Sequence, residues 1–131
     1  MKTITIEVQG QQVELRPDYA TKSGFNSVDR YRVKYLQALC KLYDFTISDV
    51  FRFLDFMGGK SGSIADPAKL ELVRLIWLFG NLACRVIKVG GASFARYQDA
   101  DKLRTVFEAY RDGSAFWQDL PAAIQQADRK A

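Results

Sequence analysis

Apolar and polar residues alternate over the first part of the chain. Residues 3–8 carry isoleucine or valine at every second position, with threonine or glutamate between them. A period of two is typical of a strand with one buried face. Val13 and Leu15 repeat the pattern after a short polar segment, in which Gly10 can adopt the positive φ of a tight turn. The pattern predicts a β-hairpin over residues 3–16, whose apolar face must pack against the rest of the chain.

From residue 27 onward, apolar residues recur at spacings of three and four, as on one face of an α-helix. This spacing predicts helices over residues 28–43, 47–57, 67–89 and 100–112, and a last short helix from Ser114. Thr46 and Asp49 have the spacing of a capping box at the start of the second helix. The tail from Asp128 is expected to fray.

The predicted helix over residues 67–89 is apolar around most of its circumference. Asp66 followed by Pro67 is a strong start signal, because proline suits the first position of a helix. A helix of this kind is typically central and packed from several sides. Arg74 and Arg85 interrupt the apolar run, and a membrane span needs about 20 apolar residues. We therefore predict no contact with a membrane.

These elements fit one domain. The chain has 131 residues, of which 48% are apolar, and this length suits a single hydrophobic core. The predicted fold class is mostly α: four to five helices surround the long central apolar helix, with a short N-terminal β-hairpin. The single domain, 1-131, then consists of the 3-16 hairpin and a helical region over 27-127.

The composition excludes several kinds of chemistry. The chain has no histidine, which removes Ser-His-Asp and Cys-His nucleophile systems as well as the commonest metal ligand. Its two cysteines, Cys40 and Cys84, lie in apolar helical stretches and are too few for a cysteine-rich zinc site. We interpret them as reduced core thiols, with a disulfide as the alternative. The sequence predicts no enzyme activity, no metal site and no cofactor.

The net charge of +4 is distributed unevenly, with six basic and two acidic residues between positions 16 and 41. Three of these, Arg30, Lys34 and Lys41, share the outer face of the first predicted helix. Such a strip can contact phosphates without reading sequence, which makes nucleic acid a candidate partner. The alternative interpretation, a solvated helix face, is the commoner one for charges of this kind.

Two aromatic residues lie away from the centre of the apolar stripe on the second predicted helix. The stripe is expected to consist of Ile47, Val50, Phe51, Leu54 and Met57, and it leaves out Phe53 and Phe56. If both rings are exposed, they form an apolar patch that needs a partner. If another element covers them, they belong to the core. We predict that Phe53 and Phe56 bind a partner protein or a second copy of the chain.

The order of elements resembles that of a known family. An N-terminal hairpin of sequence ITIEVQGQQVELRP precedes a helix rich in tyrosine and leucine, a short helix, an apolar helix containing LVRLIWLFGNLA and a helix DADKLRTVFEAY. This layout resembles the small tail assembly chaperones of long-tailed bacteriophages. The resemblance implies a non-catalytic protein in the cytoplasm of an infected or lysogenic (prophage-carrying) cell. Such a protein would bind the tape measure protein before the tail tube polymerises.

Two functions therefore remain open. The first is a non-catalytic protein-binding helical domain of the tail assembly chaperone kind. The alternative is a small phage or bacterial nucleic-acid-binding or regulatory protein that uses the basic strip of Arg30, Lys34 and Lys41.

Overall fold

The computed structural model describes residues 3–18, 28–57 and 67–130, with the backbone alone at Phe56 and Met57. Within these residues the chain forms five helices and four strands. In chain order they are β1 (Ile4–Val8), β2 (Gln11–Leu15), α1 (Val28–Leu42), α2 (Ile47–Met57), α3 (Pro67–Ala83), β3 (Val86–Val89), β4 (Ala92–Ser93), α4 (Ala100–Arg111) and α5 (Ala115–Lys130). The predicted mostly helical fold with an N-terminal β-hairpin is confirmed.

The N-terminal hairpin forms where the alternation of residues predicts it. β1 and β2 pair antiparallel, with Ile4 opposite Leu15. The turn residues Gln9 and Gly10 have φ values of 52° and 74°. Positive φ at both central residues characterises the type I′ turn, whose twist matches that of the flanking strands. Val13 and Leu15 are fully buried, so the apolar face of β2 belongs to the core.

The third predicted helix ends earlier than its apolar pattern indicates. α3 stops at Ala83, and residues 86–89 form β3. Valine and isoleucine favour a strand in this segment. Gly90 and Gly91, with φ values of 58° and 82°, then form a second tight hairpin turn. The prediction of a helix that continues to residue 89 is therefore wrong.

β3 and β4 join the N-terminal hairpin in one antiparallel sheet, in the order β1-β2-β3-β4. β3 pairs with β2 through Val13 opposite Val89, and a register shift follows between Glu14 and Leu15. On the other side, β3 pairs with the two-residue β4. The hairpin is thus half of a larger sheet, and α5 packs against its β1 strand.

α3 lies against α1, α2 and α4. Gly80 lets α1 approach closely, because a Cβ at this position would lie 2.5 Å from Leu36 Cδ2. The opposite side of α3 is not fully covered, since Leu78 is 38% exposed. The helix is therefore shorter than predicted and is not enclosed around its whole circumference.

An aromatic cluster connects α3, α4 and α5. The fully buried ring of Phe79 lies 5.4 Å from the ring of Phe107, 5.2 Å from Tyr110 and 5.1 Å from Trp117, measured between centroids. Tilted and edge-on aromatic pairs at these distances stabilise a core beyond their burial alone. α5 itself is longer than the predicted short helix and continues past Pro121 to Lys130.

Candidate functional site

The predicted partner-binding residues lie on α2, but this helix is rotated relative to the prediction. Phe53 is 4% exposed and belongs to the core, so the prediction that it lies off the buried stripe is wrong. Phe51, expected in the core, is 58% exposed. Two residues apart on a helix are separated by about 200° around its axis, so only one of these two rings can face inward. The side chain of Phe56 lies outside the described residues.

The start of α2 is fixed by the predicted capping pair. The backbone N–H of Thr46 donates to Asp49 Oδ2 over 2.8 Å, and the Thr46 hydroxyl lies 3.3 Å from the same oxygen. Asp49 is buried, and Val50 beside it is almost completely buried. This cap fixes where the helix begins.

The basic strip of Arg30, Lys34 and Lys41 lies on the exposed face of α1. Arg30 Cζ is 5.2 Å from the centroid of the Tyr31 ring, and Lys34 Nζ is 5.3 Å from that of Tyr97. Within the described ranges, none of the three strip residues forms an ion pair. The strip therefore presents positive charge that no described carboxylate neutralises.

A cleft of about 550 Å³ opens beside the N-terminal half of α1. Its walls come from α1, from the end of β2, from β3 and from the segment that follows β4. The lining side chains are Arg16, Tyr31, Tyr35, Val86, Ile87, Ser93, Phe94, Arg96, Tyr97 and Gln98. Tyrosine and arginine thus dominate the polar part of the lining.

Arg16 is held in place at the wall of this cleft. Its Nη1 donates to the carbonyl oxygens of Cys84 and Val86, over 3.1 and 3.3 Å. Its guanidinium carbon lies 3.9 Å from the centroid of the Tyr31 ring, at cation–π distance. The side chain is fixed by one nitrogen and one ring face, and Nε and Nη2 have no hydrogen-bond partner in the part of the chain that the structure describes.

Tyr35 forms the inner wall of the cleft. Its hydroxyl donates to the carbonyl oxygen of Ala95 over 2.7 Å, which ties α1 to the segment after β4. Burial raises the pKa of this phenol to about 12. The neutral hydroxyl is therefore a structural donor across the neutral pH range, and it is not poised to act as a base.

Arg85, next to the cleft residue Val86, forms a partly buried ion pair with Asp128. Arg85 is 4% exposed, and its two terminal nitrogens donate to the carboxylate of Asp128 over 2.9 and 2.7 Å. Its Nε donates to the carbonyl oxygen of Arg16 over 2.7 Å. Asp18 Oδ2 lies 4.0 Å from Arg85 and 3.1 Å from Arg32. This network joins the end of α3, the end of β2 and the last turn of α5.

The thiols are protected from reaction. Cys40 and Cys84 are both free and buried. Burial raises the pKa of each thiol to about 11, so almost none of either is thiolate at neutral pH. Among the described residues, no group of three or more His, Cys, Asp or Glu side chains is arranged to hold a metal ion. The prominent chemical feature is thus the arginine and tyrosine lining of the cleft.

Sequence reasoning did not find the cleft. Arg16 follows β2, whereas Arg96 and Tyr97 follow β4, a strand that the sequence pattern did not predict. Their approach depends on the β2–β3 pairing, which brings positions about 70 residues apart together. A β-branched run followed by two glycines, Val86 to Gly91, was the signal that could have revealed it.

Comparisons of the chain with protein-family models, with curated proteins and with solved structures found no match. In the described part of the chain, no helix has the length and apolar character required to cross a membrane.

Proposed function

We propose that this chain is a non-catalytic protein-binding domain that uses the outer face of α2. The observation that carries the proposal is the ring of Phe51, which is 58% exposed on a helix whose inner face is packed. Exposed aromatic rings are costly to keep in water and are frequent anchors of protein interfaces. Phe51 replaces Phe53 as the candidate anchor, because Phe53 is buried.

The resemblance to tail assembly chaperones supplies the partner. The proposed partner is the tape measure protein of the same phage or prophage, bound in the cytoplasm of the host cell. An amphipathic helical segment of that protein would lay its apolar face against α2, as helices do in grooves of other domains. The role requires binding and release, and it requires no chemistry from the chaperone.

Isothermal titration with the recombinant tape measure protein tests this proposal through two matched variants. Phe51→Ser removes the exposed ring of α2, and Val33→Ser removes a 47% exposed side chain of α1. We expect Phe51→Ser to weaken binding at least tenfold, equivalent to about 1.4 kcal/mol, without lowering the thermal midpoint. Val33→Ser should bind like the unchanged protein. Equal binding by both variants would contradict the proposal, and sedimentation would show whether Phe51 instead mediates self-association.

A second candidate function, nucleic-acid binding, is favoured by the unpaired basic strip on α1. Arg30, Lys34 and Lys41 would contact phosphates from one helix face, and Lys34 would be placed by its contact with Tyr97. Contacts of this kind alone give non-specific Kd values of about 10⁻⁴–10⁻⁶ M at physiological salt. Sub-micromolar, sequence-dependent binding that alanine at all three positions abolishes would establish this function. Binding that the triple variant leaves unchanged would exclude it.

A further inference from the structure

The cleft lined by Arg16, Arg96, Tyr31 and Tyr97 is separate from the α2 surface and adjoins the basic strip only through the contact of Lys34 with Tyr97. We propose that it binds a nucleoside phosphate, with the arginines at the phosphate and a tyrosine ring against the base. The proposal stands independently of α2, because the cleft is built by α1, the sheet and the segment after β4.

Two arginines of the lining are the proposed contacts of the phosphate. Arg16 is fixed by two carbonyl oxygens and by the Tyr31 ring, which leaves Nε and Nη2 as donors. Arg96 is exposed at the same cleft and forms no ion pair with any described residue. A guanidinium offers a planar fork of donors that matches a phosphate, and a fixed one loses little side-chain entropy on binding.

The aromatic rings of the lining are the proposed contacts of the base. Tyr31 and Tyr97 line the cleft and are only half-buried. Arg16 already lies over the ring of Tyr31, and Lys34 lies 5.3 Å from the centroid of Tyr97, so the base would stack on the remaining face of Tyr97. Tyr35 supports Tyr97 edge-on, with 5.7 Å between ring centroids and an interplanar angle of 81°. Every nucleobase has a flat face that stacks on an aromatic ring or on a guanidinium plane. Ser93 and Gln98, both exposed at the cleft, add neutral polar groups for sugar or base edges.

Size and lining favour this ligand over an acidic peptide. The cleft volume of about 550 Å³ falls within the range of about 300–1,000 Å³ that is usual for small-molecule sites. A peptide carboxylate would satisfy the arginines but has no planar ring to use the tyrosines. Free nucleotides and single-stranded nucleic acid both carry a base next to a phosphate, so the experiment includes both.

Ligand-observed NMR and isothermal titration would measure binding of the common ribonucleoside monophosphates, a single-stranded oligonucleotide, inorganic phosphate and a glutamate hexapeptide. Arg96→Gln is the test variant, because its side chain is exposed. Arg129→Gln, on the exposed end of α5, removes the same charge away from the cleft. We expect at least one monophosphate to bind saturably, at least tenfold tighter than inorganic phosphate and the hexapeptide. Arg96→Gln should weaken it about tenfold, whereas Arg129→Gln should have no effect.

Tyr97→Leu tests the stacking part separately. This variant should bind the monophosphate no more tightly than it binds inorganic phosphate. Circular dichroism and the thermal midpoint serve as controls and should show that the variant is folded. Tighter binding of the oligonucleotide, lost in the same variants, would identify nucleic acid as the source of the ligand. Absence of saturable nucleotide binding, equal losses in Arg96→Gln and Arg129→Gln, or tighter binding of the hexapeptide would overturn the proposal.

Discussion

The ion pair between Arg85 and Asp128 connects the last turn of α5 to the segment between α3 and β3, and its contribution to stability can be measured directly. Asp128 lies in the last turn of α5, where a carboxylate is disfavoured by the negative end of the helix dipole. Its position is explained by Arg85, which is almost completely buried and donates two hydrogen bonds to it. Asp128→Ala would leave this guanidinium with the carbonyl of Arg16 and the distant carboxylate of Asp18.

The expected cost of Asp128→Ala follows from the geometry. Breaking a fully buried ion pair costs about 3–5 kcal/mol, because the remaining charge is left without compensation. The Asp128 side chain is 40% exposed, so water can enter and solvate part of the abandoned guanidinium. We therefore expect the free energy of unfolding to fall by about 2–3 kcal/mol, near the range for hydrogen bonds to charged groups. For a domain of this size, the thermal midpoint should fall by roughly 10 °C.

Urea denaturation followed by circular dichroism measures this cost. Asp119→Ala is the matched control, because Asp119 is an exposed residue of the same helix that accepts a hydrogen bond from Gln9. This control should change the free energy of unfolding by less than about 0.5 kcal/mol. Arg85→Met, which replaces the cation by an apolar chain, should partly rescue Asp128→Ala in a double-mutant cycle. If Asp128→Ala costs no more than Asp119→Ala, the ion pair does not hold the end of α5.

Four further predictions concern the core and the thiols. Phe79→Ala should lower the free energy of unfolding by about 3–5 kcal/mol in urea denaturation, because it empties the centre of the aromatic cluster; a cost below about 1 kcal/mol would contradict that packing. Gly80→Val should cost about 1–3 kcal/mol, since a Cβ meets Leu36 at 2.5 Å, and an unchanged stability would contradict the close helix contact. The pKa values of Cys40 and Cys84, raised to about 11, predict slow alkylation of the folded chain at mildly alkaline pH. Under reducing conditions, stability should fall as pH rises from 9 towards 11, because the thiols ionise there in the unfolded chain but stay protonated in the folded one. Alanine at both positions should make this fall shallower without removing it, since the buried phenol of Tyr35 also has a raised pKa; an unaltered profile would contradict the burial of the thiols.

Local patterns predicted the hairpin and the five helices because each depends on contacts between residues close in sequence. Alternation placed β1 and β2, and the Thr46 and Asp49 pair placed the start of α2. Local sequence patterns did not predict that α3 ends at Ala83. The segment after Ala83 is apolar enough for either a buried helix or a buried strand, and pairing with β2 decides between them.

The candidate site was harder to predict than the fold. A helix of eleven residues offers several apolar stripes. The spacing of its apolar residues alone did not show that Phe53 rather than Phe51 faces inward. The packing of α2 against α3 makes that choice. The exposure of Arg30, Lys34 and Lys41 followed directly from helical spacing. The cleft brings Arg16 and Arg96, which are far apart in sequence, into one lining, and no local pattern encodes that arrangement.

Hydrogen–deuterium exchange of the chain, alone and with the tape measure protein, tests the central proposal most directly. Exchange reports which backbone amides a partner protects, without any substitution. Binding through the exposed ring of Phe51 predicts slower exchange in α2, residues 47–57, and unchanged exchange in the cleft segment 93–98. Protection confined to α1 or to the cleft, with α2 unchanged in a saturated complex, would contradict the proposal that α2 is the partner-binding surface.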